Sequence, residues 1–139
     1  MKRFLVLVAL ALLAMPLAQP KMGGVRRARM QTPPLALDPH TTQATATRNM
    51  LENVYDTLVM FDNQMQIVPA LAESWETSED GLTWTFNIRQ GVTFHDGSAL
   101  KASDVAFSLN RIKDPAIASP RSGDFEVVEG VTAPDDSTV

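Results

Sequence analysis

No cysteine occurs in the chain, which excludes disulfides, thiolate metal ligands and a lipid-modified N-terminal cysteine. Positive charge is also scarce: 12 Lys and Arg stand against 16 Asp and Glu, a net charge of −4. Such a chain offers a phosphate backbone little attraction, so no nucleic acid partner is expected. The basic cluster Arg26-Arg27-Ala28-Arg29 is too short to reverse that balance. Hydrophobic runs are short as well. The apolar stretch Phe4 to Met15 has 12 residues, whereas a membrane-spanning helix needs about 20. Gly-rich phosphate loops, Walker motifs and nucleophile elbows are missing. Internal repeats and long low-complexity tracts are missing too. His40 and His95 lie 55 residues apart and stand in no metal-ligand spacing, so no metal or other cofactor is implied.

The N-terminus carries a secretion pattern. Lys2-Arg3 precedes the apolar Phe4–Met15 run, as in a signal peptide. Cleavage is expected after Ala18, which removes Lys2 and Arg3 and takes the net charge from −4 to −6. With no cysteine to lipidate, the expected destination is the periplasm, without a lipid anchor. Residues 1–18 are thus read as signal peptide and 19–36 as a Pro-, Gly- and Arg-rich leader with a poor first strand at Val25–Met30. Residues 37–139 are read as the folded domain. One domain of that size buries roughly two-thirds of its unfolded surface.

Within the domain, Leu51, Val54, Tyr55 and Leu58 follow the i, i+3, i+4, i+7 spacing of a helix starting near Thr45, with Thr45 or Thr47 as its cap. Leu58 to Phe61 should be extended, closed by a turn at Asp62-Asn63-Gln64. The clearest strand is Leu82–Arg89, where Leu82, Trp84, Phe86 and Ile88 alternate with polar residues. Asp80-Gly81 is a hairpin turn signal, so Ala72–Ser78 should pair with that strand in antiparallel fashion. His95-Asp96-Gly97 is another turn. A second helix is expected over Ala102–Lys113, with Val105, Leu109 and Ile112 inward and Asp114-Pro115 ending it. Phe125–Ala133 reads as a strand, Pro134-Asp135-Asp136 as a turn and Ser137-Thr138-Val139 as the start of its return partner. A hairpin lacking most of its second strand leaves an open edge and reads as truncation.

Catalytic chemistry has little support. Adjacent His95 and Asp96 in a tight turn point apart, and Glu73, Glu76, Glu79 and Asp80 read as a solvated acidic hairpin. Trp75 and Trp84, one on each arm, read as core packing in preference to ligand-stacking platforms.

The recurring segments are Leu37-Asp38-Pro39-His40, Glu52-Asn53-Val54-Tyr55-Asp56-Thr57-Leu58 and Pro69-Ala70-Leu71-Ala72-Glu73-Ser74-Trp75. Further along come Asp80-Gly81-Leu82-Thr83-Trp84-Thr85-Phe86, Arg89 to Gly97, Asp104 to Leu109 with Arg111, and Pro134 to Val139. In that order and spacing the chain resembles the solute-binding proteins, family 5, of peptide-type and nickel-type ABC importers, over roughly Leu37 to Val139. The resemblance implies a mixed α/β (α+β) fold: an incomplete first lobe of a two-lobed type II periplasmic binding protein, built on an antiparallel hairpin plus two helices. It implies a non-enzymatic receptor for a peptide or similar small solute, monomeric when full-length, working with an ABC permease and its ATPase subunits. Ligand-binding positions carried over from the family are Gln43, Ala44 and Thr45, together with Arg121 after Ser119-Pro120. Arg121 departs from the aromatic many relatives have there, and Lys101 replaces the usual Thr cap of the second helix, with Ser103 as a possible substitute. The competing expectation is a truncated or decayed receptor without transport activity.

Overall fold

The computed structural model describes residues 36–139 together with 23–25, 27, 29, 33 and 34. The expected signal peptide, residues 1–18, lies outside the described residues. So do Arg26, Ala28 and Met30 of the expected first strand, while Val25, Arg27 and Arg29 are described and are not in a strand.

Helix α1 spans Thr45–Leu51 and buries Thr47 and Leu51, one turn apart. Neither Thr45 nor Thr47 caps it. Ala44 takes the cap position with extended backbone, and its N–H donates to the Thr42 hydroxyl at 3.2 Å. The helix is also shorter than its apolar spacing suggests. The Asn53 side-chain amide donates to the Asn49 carbonyl at 2.9 Å, taking the acceptor its own backbone N–H would use to continue the helix. That N–H bonds to the Met50 carbonyl, which tightens the last turn. Val54 and Tyr55 therefore lie beyond the helix, half-exposed, and the Tyr55 hydroxyl donates to the Leu37 carbonyl at 3.3 Å.

Strands β1 (Val59–Phe61) and β2 (Ile67–Pro69) form a small antiparallel hairpin with Met60 opposite Val68. Asp62 closes it: its carboxylate accepts from the backbone N–H groups of Gln64 and Gln66. Strands β3 (Ala72–Thr77) and β4 (Trp84–Ile88) form the second hairpin, antiparallel as expected. At its turn Gly81 has φ +72°, a left-handed conformation that suits glycine. Asp80 accepts from the Leu82 N–H at 3.0 Å and from the Ser78 hydroxyl at 2.6 Å.

A bulge between Ala72 and Ser74 changes the parity of β3. Ala72 lies opposite Ile88 and Ser74 opposite Asn87, so Glu73 is the extra residue and Trp75 comes opposite Phe86. The buried face of β4 is graded along its length. Ile88 is 2% exposed and Phe86 half-buried, but Trp84 is 55% and Leu82 83% exposed. The core reading therefore fails at Trp84 and Leu82, because the hairpin is anchored at its base and its tip reaches beyond the core. Trp75 is half-buried.

Helix α2 spans Ala102–Arg111 and buries Ala102, Val105 and Ala106. Ile88, Ala102 and Val105 form the core, with Leu58, Phe86, Leu100, Leu109, Ala133 and Val139 packed against them. A lysine ammonium has no acceptor to offer as a cap. Instead Asp104 accepts from the Lys101 N–H at 2.9 Å, and the Asp136 carbonyl accepts from the Ala102 N–H at 3.0 Å. The Asp136 carboxylate also pairs with Lys101 Nζ at 2.9 Å. Ser103 plays no part in this cap.

The expected strand at Phe125–Ala133 does not form. Ser122–Phe125 is a short 3-10 turn, and the segment after it is irregular. Its backbone is held by side chains from the end of α2 and the turn beyond it. Asn110 bonds both ways with Val131, at 2.7 and 3.1 Å, and Lys113 Nζ donates to the Val128 and Glu129 carbonyls. Ser137 to Val139 then pairs with β4 and not with that segment: Phe86 and Val139 exchange both backbone hydrogen bonds, and the Ile88 N–H donates to the Ser137 carbonyl. The strand whose edge was expected to stand open is therefore absent. Among the described residues no helix is long and apolar enough to cross a membrane.

Candidate functional site

An open cleft of about 500 Å³ lies between the 37–40 loop and α2, with Leu37, Tyr55 and Phe107 as its apolar wall. Its polar floor is a junction of Asp38, His40, Ser108 and Arg111. Asp-Pro-His turns the chain so that Asp38 accepts from the His40 N–H at 2.9 Å and from the Thr41 hydroxyl through its carbonyl at 3.1 Å. Arg111, in the last turn of α2, reaches across to Asp38 with both terminal nitrogens, Nη1 to Oδ1 at 3.0 Å and Nη2 to Oδ2 at 2.6 Å. Such a bidentate pair fixes orientation as well as charge. Nη1 also lies 3.1 Å from His40 Nδ1, and the Ser108 hydroxyl 3.5 Å from His40 Nε2.

The electrostatics follow from these contacts. The Arg111 guanidinium holds the Asp38 carboxyl below the usual aspartate range, a pull that burial opposes in part. Burial pushes the His40 imidazole below its ordinary pKa, and the nearby guanidiniums of Arg111 and Arg121 act the same way. Asp38 opposes them. The pair neutralises itself, so the cleft floor presents hydrogen-bonding groups more than net charge. Among the described residues no cluster of three or more His, Asp or Glu is placed to hold a metal ion.

The four ligand positions expected from the family resemblance sit beside this floor, not in the cleft lining. Gln43 is exposed, Ala44 half-buried at the cap of α1, and Thr45 exposed as its first residue. Arg121 is half-buried on a second loop that starts at Ser119. Two hydrogen bonds fasten these loops together. Gln43 Nε2 donates to the Pro120 carbonyl at 2.9 Å, across 77 residues of sequence. The Ser119 hydroxyl donates to the His40 carbonyl at 2.7 Å, across 79 residues, and accepts from the Arg121 N–H at 3.2 Å. Ser119 is 4% exposed, so its hydroxyl is buried at the join of the two loops.

Sequence reasoning did not single out Asp38, His40, Ser108, Arg111 or Ser119 as a unit. Asp38 and Arg111 stand 73 residues apart, and no local spacing pairs them. His95, the other histidine, lies in the expected turn, where Asp96 accepts from the Ser98 N–H and hydroxyl.

Residues 66–139 match the profile described as bacterial extracellular solute-binding proteins, family 5 Middle. The chain is 36% identical over 104 residues to the glutathione-binding protein GsiB of Pectobacterium atrosepticum, covering 75% of this chain and 20% of that protein. Its fold is similar to NikZ of Campylobacter jejuni in complex with Ni(L-His), with TM-score 0.69 and 29% identity over 77% of this chain and 21% of that one. It is similar also to Haemophilus influenzae OppA in complex with RPPGFSPFR, with TM-score 0.67 and 31% identity over 76% of this chain and 24% of that one. The chain thus spans about a fifth of the length of the curated relatives it matches, as a mixed α/β portion of the two-lobed periplasmic binding-protein fold. From the profile match over residues 66–139 and the likeness in sequence and fold to these proteins, the chain belongs to the bacterial extracellular solute-binding proteins of family 5.

Proposed function

We propose that this chain serves as part of a periplasmic receptor that captures a peptide or similar small solute without altering it chemically and delivers it to an ABC permease and its ATPase. The observation that carries this reading is the fastening of the 40–44 loop to the 119–121 loop beside the cleft. Thr45 and Arg121 stand close in sequence to the joined residues Gln43 and Pro120, and would meet the backbone and carboxylate groups of a peptide. Relatives named for glutathione and oligopeptide binding support the same class of solute. Secretion through the N-terminal segment and a monomeric full-length receptor complete the reading.

Isothermal titration of the chain with glutathione, tri-alanine, RPPGFSPFR and Ni(L-His) tests it. Saturable binding to one of these, weakened by Arg121→Ala or by Thr45→Ala, is the expected result. Heat signals indistinguishable from buffer for all four would overturn it.

A second reading, a product with no transport activity of its own, is favoured by the exposure of Phe107 (71%) and Leu82 (83%). Large apolar side chains left in water favour association, which removes them from it. Aggregation and a broad melt would support that reading, and a sharp melt of a monomer would refute it.

A further inference from the structure

His40 stands where the two candidate ligand loops and α2 meet. Its carbonyl receives the Ser119 hydroxyl, its N–H is held by Asp38, and its ring lies between Arg111 and Ser108. A guanidinium carries N–H donors and no acceptor. Across the 3.1 Å between Arg111 Nη1 and His40 Nδ1, the imidazole must therefore provide the lone pair. That assigns the ring as neutral, with its proton on Nε2 toward Ser108.

A second ring proton would sit on Nδ1 and face the Arg111 N–H. One attractive contact would become an opposition of two donors, and the ring would carry the same charge as its neighbour. The charged groups around His40 are Asp38 from its own loop, Arg111 from α2 and Arg121 from the second loop. Asp38 would attract an imidazolium, but Arg111 holds its carboxylate by both oxygens, and Oδ1 already accepts from the His40 N–H as well. Moving the ring away from Arg111 relieves this opposition, and the same residue's carbonyl is the group that Ser119 holds. Ser119 also accepts from the Arg121 N–H, so a shift of His40 would be felt at the second loop.

We propose that His40 is a positioning residue that fastens the two loops only while its imidazole is neutral, so that acid loosens both loops and weakens solute capture. The proposal rests on the receptor reading, which gives those loops their role. Burial of the ring is the largest influence lowering its proton affinity, which keeps it neutral under ordinary conditions and places the change on the acid side of 6.5.

The test compares the chain with its His40→Asn variant. Asparagine Oδ1 can accept from Arg111 where Nδ1 does and does not titrate. Backbone hydrogen exchange, corrected for intrinsic rates, is read over residues 41–45 and 121–124 at about pH 7.5 and about pH 5. The wild-type chain should lose roughly tenfold protection on acidification, and the variant should lose none of that increment. In parallel, nitrogen chemical shifts of the wild-type ring should show an unprotonated Nδ1 and a transition below 6.5. Equal acid losses in both proteins, or a wild-type ring titrating at or above 6.5, would overturn the proposal. The ring titration decides the matter even if the variant fails to fold. Neither measurement needs bound solute. A chain that passes here yet binds nothing in the titration panel therefore refutes the ligand role of the loops and leaves the proton latch standing.

Discussion

Arg111 holds Asp38 with both ends of its guanidinium, at 2.6 and 3.0 Å, and so ties the last turn of α2 to a loop 73 residues earlier. Lysine cannot reproduce that fork. Arg111→Lys should therefore lower the thermal midpoint by several degrees, and Arg111→Ala by more, because Asp38 is left half-buried without its partner. Circular dichroism melts of both variants check this, and an unchanged midpoint in Arg111→Ala would show the pair to be ornamental.

The same pair predicts an acid limb in the stability profile. Asp38 binds its proton less readily folded than unfolded, because Arg111 holds it ionised. The unfolded chain thus carries more protons as pH falls, and stability is lost on descending through and below the ordinary aspartate value of 3.8. The His40 limb has the same sign and lies higher: its folded pKa is depressed, so that contribution is intact above 6.5 and lost as pH drops towards the folded value. Denaturant midpoints measured across the acid range should show the lower limb shrink in Asp38→Asn, with Asp80, Asp96 and Asp135, whose carboxyls are also held below the ordinary value, carrying the rest, and the upper limb vanish in His40→Asn.

Burial along β4 predicts unequal costs for similar changes. Ile88→Ala removes a side chain that is 2% exposed at the centre of the core and should cost about 2–5 kcal/mol. Leu82→Ala acts on a residue 83% exposed and should change stability by less than about 0.5 kcal/mol. Urea unfolding of the two variants measures the contrast.

Gly81 offers a backbone test free of packing effects. It sits at φ +72° with nothing within 4 Å of where a Cβ would be. Gly81→Ala should cost about 1–2 kcal/mol through left-handed strain alone. Asparagine, which tolerates that region better, should recover part of the loss in the same urea experiment.

The tryptophans make a spectroscopic prediction. Trp84 is 55% exposed and Trp75 half-buried opposite Phe86. Trp75→Phe, which leaves Trp84 as the emitter, should therefore emit further to the red and be quenched more strongly by acrylamide than Trp84→Phe. The reverse order would place Trp84 inside.

What was legible in the sequence was local. The Asp80-Gly81 turn and the alternation after it specified β4 and its pairing with β3, and the spacing of Val105, Leu109 and Ile112 specified α2. Errors arose where a side chain competed with backbone pairing. Asn53 ended α1 early, and Asn110 with Lys113 took over carbonyls of a segment whose aliphatic residues resemble a strand. β2 went unread because Ile67-Val68-Pro69 is too short to show a period. The candidate ligand positions were legible only through resemblance. Residues 43–45 and 121 came from the family pattern, and the contacts that join their two segments, Gln43 to Pro120 and Ser119 to His40, span 77 and 79 residues, beyond the reach of any local spacing.

The bulge at Glu73 has a genetic consequence. Because Glu73 is supernumerary in the ladder, an in-frame loss of its codon would restore simple alternation while Ala72 still met Ile88 and Trp75 still met Phe86. Loss of the Glu76 codon would instead throw Thr77 out of phase with Trp84. Two deletions three codons apart would then have opposite fates, the first tolerated and the second disruptive.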